Sequence, residues 1–593
     1  MDDLSPIPEE ADIPETPTPR RGLRLRWQYF ALAAGLVLIV GAIIYGMLNG
    51  PTSVVTRLNS SYSNTQVYTE AVVGQPQWVD PLLATSQADR DLTSLIFSGL
   101  TRVDDYGQPA PDLAQSWEVS SDGLTYTFHL RKGVTWQDGQ PFSAQDVAFT
   151  ASLLRDPDFS GPADLGSFWQ TVETYADDPL TVRFVLTQPL SAFPEYASIG
   201  ILPLHILGGI PAKQLPTDPF NLAPIGTGRL RWQSIQKDLS GTTVKLKPFA
   251  GFYDSSHAVQ LNEVDFRFYS DPNRAFNSLG SSAQGTGAMA YGGLTEAQLD
   301  PAFSDPRLQI YTARLPSYAA IIFNEGAPAR LPFFQDRSVR AGLARAIDRQ
   351  SLIDQFLPRS AALTNSTMLP GSWAYNPAIT PQPFDIASAG QTLDQAGWAL
   401  QNGVRAKDGK PITFNLLVSD GSVEQQVGQA VTQAWKGLGI NVTMQALPAD
   451  QLLKRLAAPP AGDQGRNFDA ALVEFTQGRL ADPDPYPFWH ESQIATGQNL
   501  SGLSDRDISE ALEQAREDSN GVQRTELYRA YQQLFADHSA AILLYNPLYH
   551  YAVNCQISGV QLMIFVDPAD RFRNMQDWRI LPPAQASAAC PGS

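Results

Sequence analysis

Cysteine is scarce here: the chain has two in 593 residues, Cys555 and Cys590, both near the C-terminus. No CxxC and no Cys/His ligand spacing exists, so the sequence carries no zinc signature. Outside the cytoplasm the two thiols could form a disulfide tying the tail to the body, and two free thiols are the other reading. Histidine is also sparse. His129, His205, His257, His490, His538 and His550 are scattered, make no ligand pair on one helix face, and each reads as a surface or structural residue. G-x-S-x-G, HExxH and GxxxxGK[ST] are all absent, and Gly409-Lys410 lacks the flanking residues of a phosphate loop. An Asp/Glu pair for glycoside hydrolysis is a matter of closeness in space and leaves no sequence mark. No catalytic residue, no cofactor and no metal ligand is therefore expected. A basic excess is missing too: 42 Lys and Arg stand against 60 Asp and Glu, a formal charge of −18. That argues against nucleic-acid binding and reads more simply as a solvated acidic surface than as an acidic docking face.

One long apolar run is present. Trp27–Leu48 contains no charged residue, and about 20 such residues cross a hydrocarbon core of about 30 Å as a helix. Arg20, Arg21, Arg24 and Arg26 precede it and only Arg57 follows closely, which places the N-terminus in the cytoplasm and the bulk of the chain outside. A cleaved signal peptide is the competing reading. No A-x-A-like site follows the run, and Pro51 would obstruct cleavage after Gly50. No cysteine near its end could accept a lipid. The expectation is a cytoplasmic tail over 1–26, an uncleaved transmembrane helix over 27–49 and a flexible linker over 50–64, rich in Ser, Thr and Asn.

The remainder is long enough for several domains of about 150 residues, and 43% hydrophobic content can fill large cores. Between Leu92 and Leu154, Leu124, Tyr126, Phe128 and Leu130 alternate with polar residues as in a half-buried strand. Asp122-Gly123 and Asp138-Gly139 are hairpin turn pairs. Ser143-Ala144-Gln145-Asp146 is a capping box that opens a helix through Leu154. Residues 412–473 alternate strand and helix: a strand through Ile412, Phe414, Leu416 and Val418, a helix through Val427, Val431 and Leu438 stopped by Gly439, and a strand at Ile440–Met444. A short helix capped by Asp450 and a strand over Phe468–Val473 complete the run. This order argues for a parallel sheet with covering helices. Helices are also expected over Val339–Phe356, Ile386–Ala396, Ile508–Arg516 and Arg524–Phe535, with a final buried strand at Ala541–Tyr545. Residues 65–330 are richer in strands, among them Val244–Lys247 and Val264–Tyr269.

A series of short motifs resembles the family 5 extracellular solute-binding proteins, the peptide-binding class of ABC importers. They are Ala114-Gln115-Ser116-Trp117, Asp122–Phe128, Leu130–Val134, Trp136–Gly139 and Ser143–Val147. Downstream come Gly226-Thr227-Gly228, Asp336–Arg340 with Ala346–Arg349, Ala396-Gly397-Trp398, Phe468-Asp469-Ala470 and Asp482-Pro483-Asp484. The likeness spans roughly Thr65 to Trp578. One departure stands out: Arg229-Leu230 occupy the place where the family usually has Pro-Tyr.

The resemblance implies an α/β fold of the periplasmic-binding-protein type II kind, two-lobed, with an extra inserted domain and here preceded by the transmembrane helix. Lobe I would use 65–100, 225–325 and 548–593, the inserted domain 101–224, and lobe II 326–547. It implies a monomer that captures an oligopeptide between the lobes and delivers it to ABC permease and ATPase subunits, tethered to the membrane by residues 27–49. The same fold could hold an oligosaccharide or another small solute, or serve as an anchored sensor ectodomain. By resemblance, Asp482 anchors a peptide α-ammonium through a charge-assisted hydrogen bond, with Asp484 as the alternative. The bland reading of this Pro-rich stretch is an Asx-turn. Phe475, Trp373, Tyr375, Tyr486 and Trp489 are pocket candidates, each also readable as core, and Arg479 could hold a peptide carboxylate or simply be solvated.

Overall fold

The computed structural model describes residues 67–238, 241–281, 288–380, 382–478, 480–582 and 585. The expected tail, membrane helix and linker lie outside the described residues, as do Arg479 and Cys590. Among the described residues no helix is long and apolar enough to cross a membrane. Cys555 is buried and disulfide-bonded.

The strands organise into one twelve-stranded sheet and smaller sheets. Its second half runs in the order Asn441–Leu447, Thr413–Ser419, Ala470–Thr476, Ser317–Phe323. The first two strands are parallel, as is the pair Thr413–Ser419 and Ala470–Thr476, while Ser317–Phe323 joins antiparallel. The parallel unit follows the strand–helix alternation of the sequence, because each crossover helix covers a sheet face. The first half runs Ala288–Gly292, Val67–Val73, Glu263–Tyr269, Gly241–Pro248, Leu230–Asp238.

Ala541–Asn554 belongs to both halves. Its early residues pair with Ser317–Phe323, its later residues with Leu308–Arg314 and Ala288–Gly292. The crossing falls where Leu315 N donates to Pro547 O at 2.9 Å. There Asn546 donates to Ser317 O at 2.8 Å and accepts from Arg314 Nη1 at 2.9 Å. Two neighbouring segments thus carry the chain between the halves.

A four-stranded antiparallel sheet, ordered Ala114–Val119, Thr125–Leu130, Thr181–Val185, Glu173–Asp178, stands apart from the large one. Tyr126, Phe128 and Leu130 point inward as their alternation requires. Their core is continuous with that of the first half: Phe128, Trp136, Trp169, Phe184 and Phe193 belong to the same apolar cluster as Leu95, Leu230 and Phe266. Gly123 and Gly139 have φ of 71° and 91°, the conformation their hairpin positions demand. Ser143 and Asp146 form the expected capping box of the helix Ala144–Arg155.

Three local expectations need correction. The helix read over Val339–Phe356 is two helices, Arg337–Arg345 and Arg349–Phe356, because the Asp348 side chain caps the second by accepting from Ser351 N. Asp450 is not a cap: it lies in the first turn of Ala449–Ala457 and pairs with Lys454. The last strand extends well beyond Tyr545, to Asn554.

Candidate functional site

A cavity of about 660 Å³ draws its walls from segments far apart in sequence. Residues between 81 and 112, 162 and 200, 228 and 257, and 567 and 573 come from the first half and the small sheet unit; residues between 476 and 498 come from the second half. Its size falls in the range of about 300–1,000 Å³ common for small-ligand sites. Phe97, Phe168, Tyr196, Phe252 and Phe488 supply apolar surface, and Phe168 stacks on Tyr196 with centroids 3.8 Å apart.

Two distant motifs position this wall. Gln137 donates through Nε2 to the carbonyls of Ile96, Gly228 and Leu230, and its Oε1 accepts from Gly226 N. Gly228 N donates to Ile96 O at 2.7 Å. A Cβ on Gly226 would sit 2.0 Å from Ile96 O, and one on Gly228 2.5 Å from Leu95 O. The glycines of this turn are therefore required by close backbone approach, with no positive φ involved.

On the opposite side of the contact, three carboxylates converge. Asp482 is buried, with Oδ2 2.6 Å from Arg524 Nη2 and Oδ1 accepting from Tyr528 OH at 3.1 Å. Its backbone N–H donates to Glu195 Oε2 at 2.7 Å. Asp484 accepts from Arg516 Nε at 2.6 Å and from Tyr486 N at 3.0 Å. Burial, with the Asp482 charge added, pushes Glu195 well above the usual carboxylate range. Burial also raises Asp484, against the pull of Arg516. Two guanidiniums thus face three carboxyl groups, an arrangement that favours the protonated form of Glu195. Ser191 reinforces the contact: its N–H and Oγ donate to Arg516 O at 2.9 and 2.8 Å.

Comparison with known proteins decides the family. The model for "Bacterial extracellular solute-binding proteins, family 5 Middle" matches residues 108–496. The chain belongs to this family. The oligopeptide-binding protein AppA of Bacillus subtilis is 28% identical over 556 residues, covering 91% of this chain and 97% of AppA. The structure of AppA with a nonapeptide superposes with a TM-score of 0.60 at 26% identity, over 87% of this chain and 99% of that one. NikZ of Campylobacter jejuni, in complex with Ni(L-His), gives a TM-score of 0.62 at 25% identity with the same coverage.

Within this family 5 chain the residues singled out from sequence fall in different places. Asp484 lies on the cavity wall. Asp482 sits beside it, neutralised by Arg524, whose guanidinium also lies over Trp373 at 5.0 Å. Phe475 is core, stacked on Tyr318 at 5.3 Å and edge-on to Phe488 at 5.4 Å. Trp489 is core as well, its indole N–H donating to Tyr318 OH at 3.0 Å. Tyr486 lies between the ring of His490, at 4.0 Å, and the guanidinium of Arg516, at 4.0 Å. Tyr375 is half-buried and does not line the cavity.

Sequence reasoning missed Glu195, Arg102 and Asp112, all on the wall. None sits in a motif that marks it. Arg229, also on the wall, was visible only as a departure from the family pattern.

Proposed function

We propose that this protein captures short peptides in the cavity and passes them to an ABC permease, with residues 27–49 holding it to the membrane. The observation that carries this reading is the carboxylate surplus of Glu195, Asp482 and Asp484 over Arg516 and Arg524. A peptide α-ammonium brought to this wall would balance the third carboxyl group and form charge-assisted hydrogen bonds. Asp484 is the carboxylate offered to the cavity, and Asp482 fixes the loop through its bonds to Arg524, Tyr528 and Glu195. The aromatic lining accepts side chains of varied shape. Closure is a hinge motion about the crossing at Leu315 and Pro547, latched by Ser191 and Glu195. The relation to AppA supports a peptide ligand, and the energy for transport would come from partner ATPases.

A thermal-shift screen of the full-length protein against short-peptide pools and an oligosaccharide panel tests this reading. Peptide at 100 times its dissociation constant should add about 2.7 kcal/mol of stability. A response to oligosaccharides with none to peptides would replace the ligand class, and silence to both would favour a sensor.

A further inference from the structure

The same cavity carries a second patch, of opposite sign. Arg102 is half-buried on the strand Thr101–Val103, and its guanidinium makes no hydrogen bond or ion pair with any described residue. Arg229 donates through Nη1 to Arg573 O at 3.1 Å and Gln576 Oε1 at 3.3 Å, leaving Nε and Nη2 without a partner among the described residues. The other basic side chains of the wall are matched: Arg90 with Asp567 at 2.6 Å, Arg573 with Asp570 at 2.8 Å, His257 with Asp254 at 2.9 Å. One carboxylate, Asp112, stands against Arg102 and Arg229. It already accepts from Tyr253 OH, and its backbone carbonyl accepts from Arg131 Nε. Burial drives Arg229 down to about 10, with Arg102 and Arg573 adding to the effect, and raises Asp112 to about 6. In a protein of formal charge −18, a wall with two guanidiniums presenting free donors is a local inversion of sign.

We propose that Arg102 and Arg229 form a carboxylate subsite that selects ligands bearing an anionic group. Guanidinium donors matched to a carboxylate in a partly desolvated cavity give strong, oriented hydrogen bonds. Asp112 attracts both guanidiniums electrostatically and limits the patch to a single added anion. This inference rests on the peptide reading for the identity of the ligand, though not for the chemistry of the patch. The carboxylate is either the peptide's C-terminus or an acidic side chain.

Calorimetric titration of the full-length protein with three matched peptides separates these sources: a free acid, its C-terminal amide, and an amide containing one glutamate. Amidation should weaken binding at least tenfold if the terminus is read, and the glutamate should restore it if the side chain is read. Arg102→Ala removes a guanidinium that makes no hydrogen bond or ion pair with any described residue, so the variant should fold normally. It should lose at least tenfold in affinity for the carboxylate-bearing form and nothing for the simple amide. Equal affinities for all three peptides, or equal losses for acid and amide in the variant, would overturn the subsite. If no peptide binds, the peptide reading fails separately, and succinate at fixed ionic strength becomes the probe. It should raise the melting temperature of the parent protein but not of Arg102→Ala, and identical responses would overturn the proposal.

Discussion

Arg524 and Asp482 form a buried ion pair, 2.6 Å from Nη2 to Oδ2, within the contact that joins the small sheet unit to the second half. Tyr528 completes it by donating to the other carboxylate oxygen. Removing one partner of a buried pair leaves an uncompensated charge, a loss of about 3–5 kcal/mol. Arg524→Ala should therefore lower the urea midpoint strongly. A midpoint within error of the parent would show that Asp482 is not held in this way.

The turn Gly226-Thr227-Gly228 gives a second prediction. A methyl at Gly226 meets a backbone carbonyl at 2.0 Å, and a carbonyl cannot swing away as a side-chain tip can. Gly226→Ala should destabilise by about 2–4 kcal/mol in chemical unfolding, in the range of severe core substitutions. Gly209→Ala, with nothing within 4 Å of its Cβ, should shift the midpoint little.

Much of the fold was legible in the sequence because local and tertiary preferences agree. The alternation from Leu124 to Leu130, the Ser143 capping box and the parallel unit between Thr413 and Thr476 all follow from periodicity and punctuation. The break at Asp348 was missed because the buried face of Val339, Leu343 and Ile347 runs on across it. The full length of Ala541–Asn554 was missed because Asn546, Pro547 and His550 interrupt an apolar run. Asp484 was readable from its motif. Glu195, Arg102 and Asp112 were not, because the cavity is assembled from segments whose proximity exists only in the fold.

Stability should fall as the pH rises from mildly acidic to alkaline. Burial raises Glu70 and Asp80 each to about 7 and Asp112 to about 6, all above their unfolded values near 4. A raised carboxyl group binds more protons folded than unfolded, so its stabilisation is complete below the unfolded value and is lost as the pH climbs through the folded one. The melting temperature should be higher at pH 5.5 than at pH 8. Asp80→Asn keeps an acceptor for Leu82 N, which now donates to Asp80 Oδ1 at 2.8 Å. That variant should gain on the order of 1–3 kcal/mol at pH 8 and flatten the slope. An unchanged slope would contradict the burial argument.

Peptide affinity should carry its own pH dependence. Glu195 is raised by burial and by the Asp482 charge, so an incoming ammonium displaces a proton. Affinity should increase with pH until the peptide amino group itself loses its proton near about 8. Calorimetry in buffers of different ionisation enthalpy should detect proton release on binding. Proton uptake, or affinity falling between pH 5.5 and 7.5, would contradict the role given to Glu195.

The most direct measurement is a titration of the full-length protein with one short peptide and with the same peptide acetylated at its N-terminus. Acetylation removes the positive charge and changes little else. If the surplus of Glu195, Asp482 and Asp484 over Arg516 and Arg524 receives the α-ammonium, the acetylated form should bind at least tenfold more weakly, about 1.4 kcal/mol, and Asp484→Asn should shrink the gap. Equal affinity for the two forms would contradict the account.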